Sequence, residues 1–172
     1  MLRKNFLRNA ILNSASLLTI PLLIKTQTIN GEKRSEIDQL PPEKVKDFVI
    51  AGHGDINKVK SMLQELPGLL YATWDWGGGD FETAPEGAGH VGNKEIANFL
   101  ISSGARTNLF VLTMLGKTEI VKLSLETFPQ YINARGPHGF TFLHHAQKGG
   151  EESKELLEYF QSKGLKETKS PL

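Results

Sequence analysis

The chain has 172 residues, 39% of them hydrophobic and 23% charged, which is enough for one domain with a continuous core. Cysteine is absent, so disulfides, thiolate metal sites and a bacterial lipoprotein anchor are excluded. The formal charge is +1, but four of the 20 basic residues and none of the 19 acidic ones precede residue 26, so the remainder carries −3 and lacks the concentrated basic face that nucleic acid requires.

Met1 to Asn9 carries Arg3, Lys4 and Arg8, and an apolar run (AILNSASLLTIPLLI) follows to Lys25. A basic start before an apolar run shorter than the roughly 20 residues of a spanning helix reads as a secretory signal or N-terminal anchor over 1–25. Arg3-Lys4-Asn5-Phe6-Leu7 is similar to the twin-arginine export signal, with Lys in place of the second Arg. No A-x-A cleavage site follows, so both export routes and an uncleaved anchor stay open; the expected location is exported, periplasmic or secreted. Residues 26–43 are polar, end in Pro41-Pro42 and read as a linker.

Residues 44–166 alternate short helical patterns with turns. Val45, Phe48, Val49 and Ala51 suit a first helix, and Ile56, Val59, Met62, Leu63 and Leu66 recur at helical spacing in a second, stopped by Pro67-Gly68. A long connection, YATWDWGGGDFE, holds both tryptophans around three glycines. Thr83 to His90 forms the next first helix, weakened by Gly87 and Gly89, whose presence predicts close helix packing. Further pairs follow around Gly116, with Phe110, Leu112 and Met114 before it and Ile120, Val121, Leu123 and Leu125 after it, and around Gly150. The segment 151–163 presents a polar outer face suited to a terminal unit. Residues 167–172 read as a frayed tail.

In NARGPHGFTFLHHAQKGG, eight residues (Asn133, Ala134, Gly139, Thr141, Leu143, His144, Ala146 and Gly150) fall at the spacing N-A-x-D-x-x-G-x-T-P-L-H-x-A-x-x-x-G. The stretch resembles an ankyrin repeat, with Gly136 at the Asp position and Phe142 at the Pro position. Gly54, Gly92 and Gly116 mark equivalent breaks upstream at separations of 38, 24 and 34 residues, against a family period of about 33. The resemblance implies an all-α ankyrin-repeat solenoid of about four helix-turn-helix units with short or irregular hairpins. It further implies a non-catalytic module that binds a protein partner through hairpin tips and inner helices. Glu86 stands where the family has the His that ties neighbouring repeats, and is expected to meet a donor there.

Within the long connection, Tyr71, Trp74, Trp76 and Phe81 admit two readings: a cover over an exposed edge of the stack, or a partner-binding anchor. The five histidines, His53, His90, His138, His144 and His145, with Asp75 or Asp80 as oxygen donors, raise a metal site, but none shows local ligand spacing. They recur near unit boundaries, where the resemblance implies structural roles, so no metal and no cofactor are expected. Gly77-Gly78-Gly79 precedes Asp80 rather than the Lys and Ser or Thr of a phosphate loop, and no serine has a nucleophile-elbow context. Catalysis is therefore not expected; the alternatives are an accessory ligand-binding protein or an enzyme using Glu86 with His90, one turn apart, as an acid–base pair.

Overall fold

The structure is a computed structural model and describes residues 39–171. The signal-like stretch 1–25 and the linker up to residue 38 lie outside the described residues. The described chain is mostly helical: α1 (Pro42–Gly52), α2 (Ile56–Glu65), α3 (Ala84–Val91), α4 (Lys94–Ser102), α5 (Leu109–Met114), α6 (Thr118–Thr127), α7 (Phe142–Gly149) and α8 (Lys154–Ser162). One small hairpin, β1 (Thr73–Asp75) and β2 (Phe81–Thr83), stands between α2 and α3. No helix among the described residues is long and apolar enough to cross a membrane.

The helices form four consecutive pairs, matching the four units read from the sequence, and α1 begins at Pro42, inside the stretch assigned to the linker. Side-chain caps set several of the starts. Asp55 accepts from the Lys58 N–H at 2.9 Å, Asn93 from Ile96 at 3.0 Å, and Asn108 from Phe110 and Val111, each at 3.1 Å. Thr83 and Glu86 cap α3 reciprocally, Glu86 Oε2 accepting from the Thr83 N–H at 2.8 Å.

The first helices of the pairs pack in a row, α1 on α3, α3 on α5 and α5 on α7. Phe48, Val59, Leu69, Ile96, Leu100 and Met114 fill one apolar cluster, and Phe110, Leu143, Leu156 and Phe160 part of a second. The short α5 contributes to both, Val111 and Met114 to the first and Phe110 to the second. Phe110, Phe142 and Phe160 stack in series at 4.3 and 5.3 Å between centroids. The glycines of α3 have the expected cause: a Cβ on Gly89 would stand 3.1 Å from Val111 Cγ2, and one on Gly87 2.8 Å from the His53 ring.

Residues 167–170, expected as a frayed end, instead lie along Gly139–Thr141. Thr141 N–H donates to Thr168 O at 3.1 Å, Thr141 Oγ1 to Glu167 O at 2.7 Å and Ser170 N–H to Gly139 O at 2.9 Å. Backbone groups of an otherwise unpaired loop find partners this way, which the composition of KETKSPL does not disclose.

Leu156 is fully buried and Glu158, two residues on, is exposed. Leu156→Ala should lower stability by about 2–5 kcal/mol through lost burial and a cavity, and Glu158→Ala by under about 0.5 kcal/mol. Urea melts of the two variants check this; equal losses would contradict the packing of α8.

Candidate metal centre

The hairpin sets up the site by simple alternation. Neighbouring residues of a strand point to opposite faces, so Glu82 turns inward while Phe81 faces solvent at 57% exposure. Trp74 lies opposite Glu82 in the register. The turn is closed by the Trp76 N–H donating to Asp80 O at 2.9 Å, and Asp75 Oδ1 accepts from the Gly77 N–H at 2.8 Å. Gly77, Gly78 and Gly79 all have positive φ (112°, 67° and 88°), a run that only glycine tolerates at low cost.

Three histidines converge on Glu82. His53 follows directly on α1, His90 sits in the last turn of α3, and His138 is carried by the turn Pro137–Gly139 before α7. His138 has φ 58°, the one positive value outside glycine among the described residues, a conformation costing about 1–2 kcal/mol. Glu82 Oε1 is 2.9 Å from His90 Nε2 and 3.5 Å from His53 Nε2; the two imidazole nitrogens are 3.0 Å apart. His138 Nε2 lies 3.5 Å from Glu82 Oε2. One donor atom from each of the four residues falls within 4.8 Å of all the others. A tetrahedral ion with ligands at 2.0–2.1 Å has donor–donor edges of roughly 3.3–3.4 Å, so small side-chain adjustments would close the four around one ion.

The tautomers suit that use. His53 Nδ1–H donates to Val49 O at 3.0 Å, and His138 Nδ1–H donates to Asp80 Oδ2 at 2.7 Å. In both rings the lone pair is thereby placed on Nε2, the nitrogen that faces the cluster. Asp80 grips His138 a second time, accepting from its backbone N–H at 2.7 Å. Gly87 leaves the space that the His53 ring occupies.

Glu82 is completely buried, and its Oε1 accepts no hydrogen bond although His90 Nε2 is close. Its other oxygen accepts from Trp76 Nε1–H at 2.8 Å. Burial pushes this carboxyl up, but its interactions with His53 and His90 outweigh burial and hold it at about 2, so it is an anion throughout the neutral range. The same interaction with Glu82 raises the His53 pKa against the effect of burial.

Three of the five histidines expected near unit boundaries thus come together at Glu82, and His144 and His145 stand outside that group. His144 Nε2–H donates to His90 O at 2.8 Å, tying α7 to α3, and its ring stacks on Phe140 at 4.0 Å. His145 Nδ1–H donates to Thr141 O at 2.9 Å. Asp80, a candidate oxygen donor by sequence, orients His138 from behind, and Asp75 serves the turn. Glu82 belongs to no motif in the sequence; the alternation Asp80-Phe81-Glu82 within a hairpin is the signal that points to it. Glu86 meets the expected donor, its Oε1 accepting from Asn108 Nδ2 at 2.6 Å and its Oε2 from Thr83, which leaves it occupied rather than paired with His90. Burial raises its pKa.

Of the four aromatic residues expected as a cover or an anchor, Trp76 turns into the site, its ring 5.8 Å from that of His138, and Trp74 packs edge-on against it at 6.5 Å. Lys46 Nζ lies 5.6 Å from the Trp74 ring and 5.9 Å from that of Trp76. Tyr71 and Phe81 stay on the surface, 53% and 57% exposed. No protein-family model matches the chain, and comparison with the curated proteins finds none similar to it.

His145 supplies a pH test outside the cluster. Burial lowers its pKa from 6.5 to about 3, and its Nε2 is buried without a partner. The unfolded chain therefore takes up a proton that the folded one refuses, so stability falls as pH drops from 6.5 towards 3, by on the order of 5 kcal/mol over that window. In chelator, His145→Gln should flatten the decline in urea stability between pH 6.5 and 4 relative to the unaltered protein. Parallel pH profiles would refute this role for His145.

Proposed function

We propose that this chain is an ankyrin-type helical stack that binds one divalent transition-metal ion through His53, Glu82, His90 and His138. The observation that carries this is the convergence on the buried Glu82 carboxylate of three imidazoles, with His90 Nε2 2.9 Å and His53 Nε2 3.5 Å from Oε1 and one donor atom of each of the four residues within 4.8 Å of the others. A buried charge needs a compensating one, and an ion supplies it. Three imidazoles and one carboxylate without thiolate suit zinc, with iron(II), cobalt(II), nickel(II) or copper(II) as chemical relatives. Four protein ligands favour a structural and binding role over catalysis. The ion would join the end of α1, the hairpin with α3, and the turn before α7, segments belonging to three of the four helix pairs. With the signal-like N-terminus, this reading puts the centre outside the cytoplasm.

Protein stripped with chelator should take up one equivalent of Zn2+ by calorimetry. It should gain about 2.7 kcal/mol of stability at free metal 100-fold above Kd, and His90→Ala should lower the affinity more than about 100-fold. Failure of Zn2+, Co2+ and Fe2+ alike to bind tighter than about 1 mM would sink the reading.

Protein recognition is the second reading, favoured by the exposure of Tyr71, just before the hairpin, and of Phe81 on its second strand. A Tyr71→Ser, Phe81→Ser double variant should keep its melting point and its metal affinity while losing any protein retained by the unaltered chain. Equal retention would remove these two residues from the interface.

A further inference from the structure

Among the described residues, Trp76 is the only hydrogen-bond donor within reach of Glu82 Oε2. Its Nε1–H stands at 2.8 Å, whereas the next candidate, His138 Nε2, is at 3.5 Å. The indole is itself fixed. Its backbone N–H closes the hairpin turn, one side of its ring meets Trp74, and its ring is tilted at 55° to that of His138. The two carboxylate oxygens consequently have unequal tasks. Oε2 is engaged by a charge-assisted hydrogen bond, and Oε1, which accepts none, faces His53 and His90. An oxygen already bonded to a donor is a poorer metal ligand, which leaves Oε1 as the oxygen free for an ion.

We propose that Trp76 is a positioning residue that makes Glu82 a one-oxygen ligand and thereby sets a four-coordinate, zinc-selective centre. The proposal rests on the metal reading above. Only tryptophan among the large aromatic residues places an N–H donor at this point; phenylalanine, a smaller ring without a donor, would leave Oε2 unpaired. A released Oε2 would turn to the ion, making the carboxylate bidentate and raising the coordination number to five or more. That favours ions such as Mn2+, which accept oxygen ligands and larger shells, over Zn2+.

The test uses the full chain loaded with Co2+, whose visible bands are intense in four-coordinate sites and weak in five- or six-coordinate ones. The unaltered protein should give the intense spectrum. Trp76→Phe should give the weaker one, with Zn2+ affinity reduced about 10–100-fold and Mn2+ affinity held, so that the Zn2+/Mn2+ preference narrows. Tyr71→Ser, an exposed change that touches neither Trp76 nor Glu82, should match the unaltered protein in both readouts. Should Trp76→Phe fail to fold, benzothienylalanine incorporated at position 76 keeps the ring shape without the N–H and should behave as described for Phe. An unchanged Co2+ spectrum and metal preference in the altered protein would overturn the proposal, as would a weak, high-coordinate spectrum in the unaltered one. Those results leave the metal site standing, whereas no spectral response to Co2+ and no Zn2+ uptake by the unaltered chain would remove both.

Discussion

A carboxylate with no access to water is the constraint around which this structure is arranged. Glu82 is fully buried and ionised, and an isolated charge in such a place costs several kcal/mol even after relaxation. Every neighbour contributes to offsetting that cost: an indole N–H on one oxygen, two imidazoles against the other, and a third imidazole from a remote turn. Protonated imidazoles can offset it without metal, and the raised His53 pKa is the trace of that state. A divalent ion does so with directional bonds to neutral rings, and the two Nδ1–H anchors hold those rings in the tautomer an ion needs.

The irregularities of the helical array serve this arrangement. The connection between the first and second helix pairs is drawn out into the hairpin that carries Trp76, Asp80 and Glu82. The connection between the second and third is cut back to residues 103–108, ending in the cap residue Asn108. Asp80 then clasps His138 by both its backbone and its ring, joining the hairpin to the turn before α7. The C-terminal residues lie against the same turn, where Ser170 N–H donates to Gly139 O. The backbone around His138 is thus held by two segments remote in sequence, a condition under which a positive φ persists.

Tryptophans in an exposed-looking loop suggest an interface anchor, and here the two differ in use. Trp76 turns inward because its indole couples an apolar ring to one donor, and Glu82 requires one donor. Phe81, with no polar handle and the opposite strand parity, faces outward. The protein-recognition and metal readings therefore draw on different faces of one hairpin, and a partner on the outer face would sense the ion only through the backbone between them.

The helix pairs are legible in the sequence because their signals are local: apolar spacings of three and four, prolines and glycines at the breaks, and Thr83 with Glu86 three residues on. Even the role of Glu86 follows from its position, since a cap and a neighbour's donor lie within one unit of it. The His/Glu cluster is not legible there. His53, Glu82, His90 and His138 are separated by 29, 8 and 48 residues, and no short motif spans such gaps. They are brought together by the stacking of α1 on α3, the inward parity of β2, and a turn that crosses from a later unit. Local patterning fixes which residues form helices because the backbone hydrogen bonds reach only four residues. A coordination sphere is defined by distances of a few ångströms between residues far apart in the chain, and only the packed tertiary structure sets those.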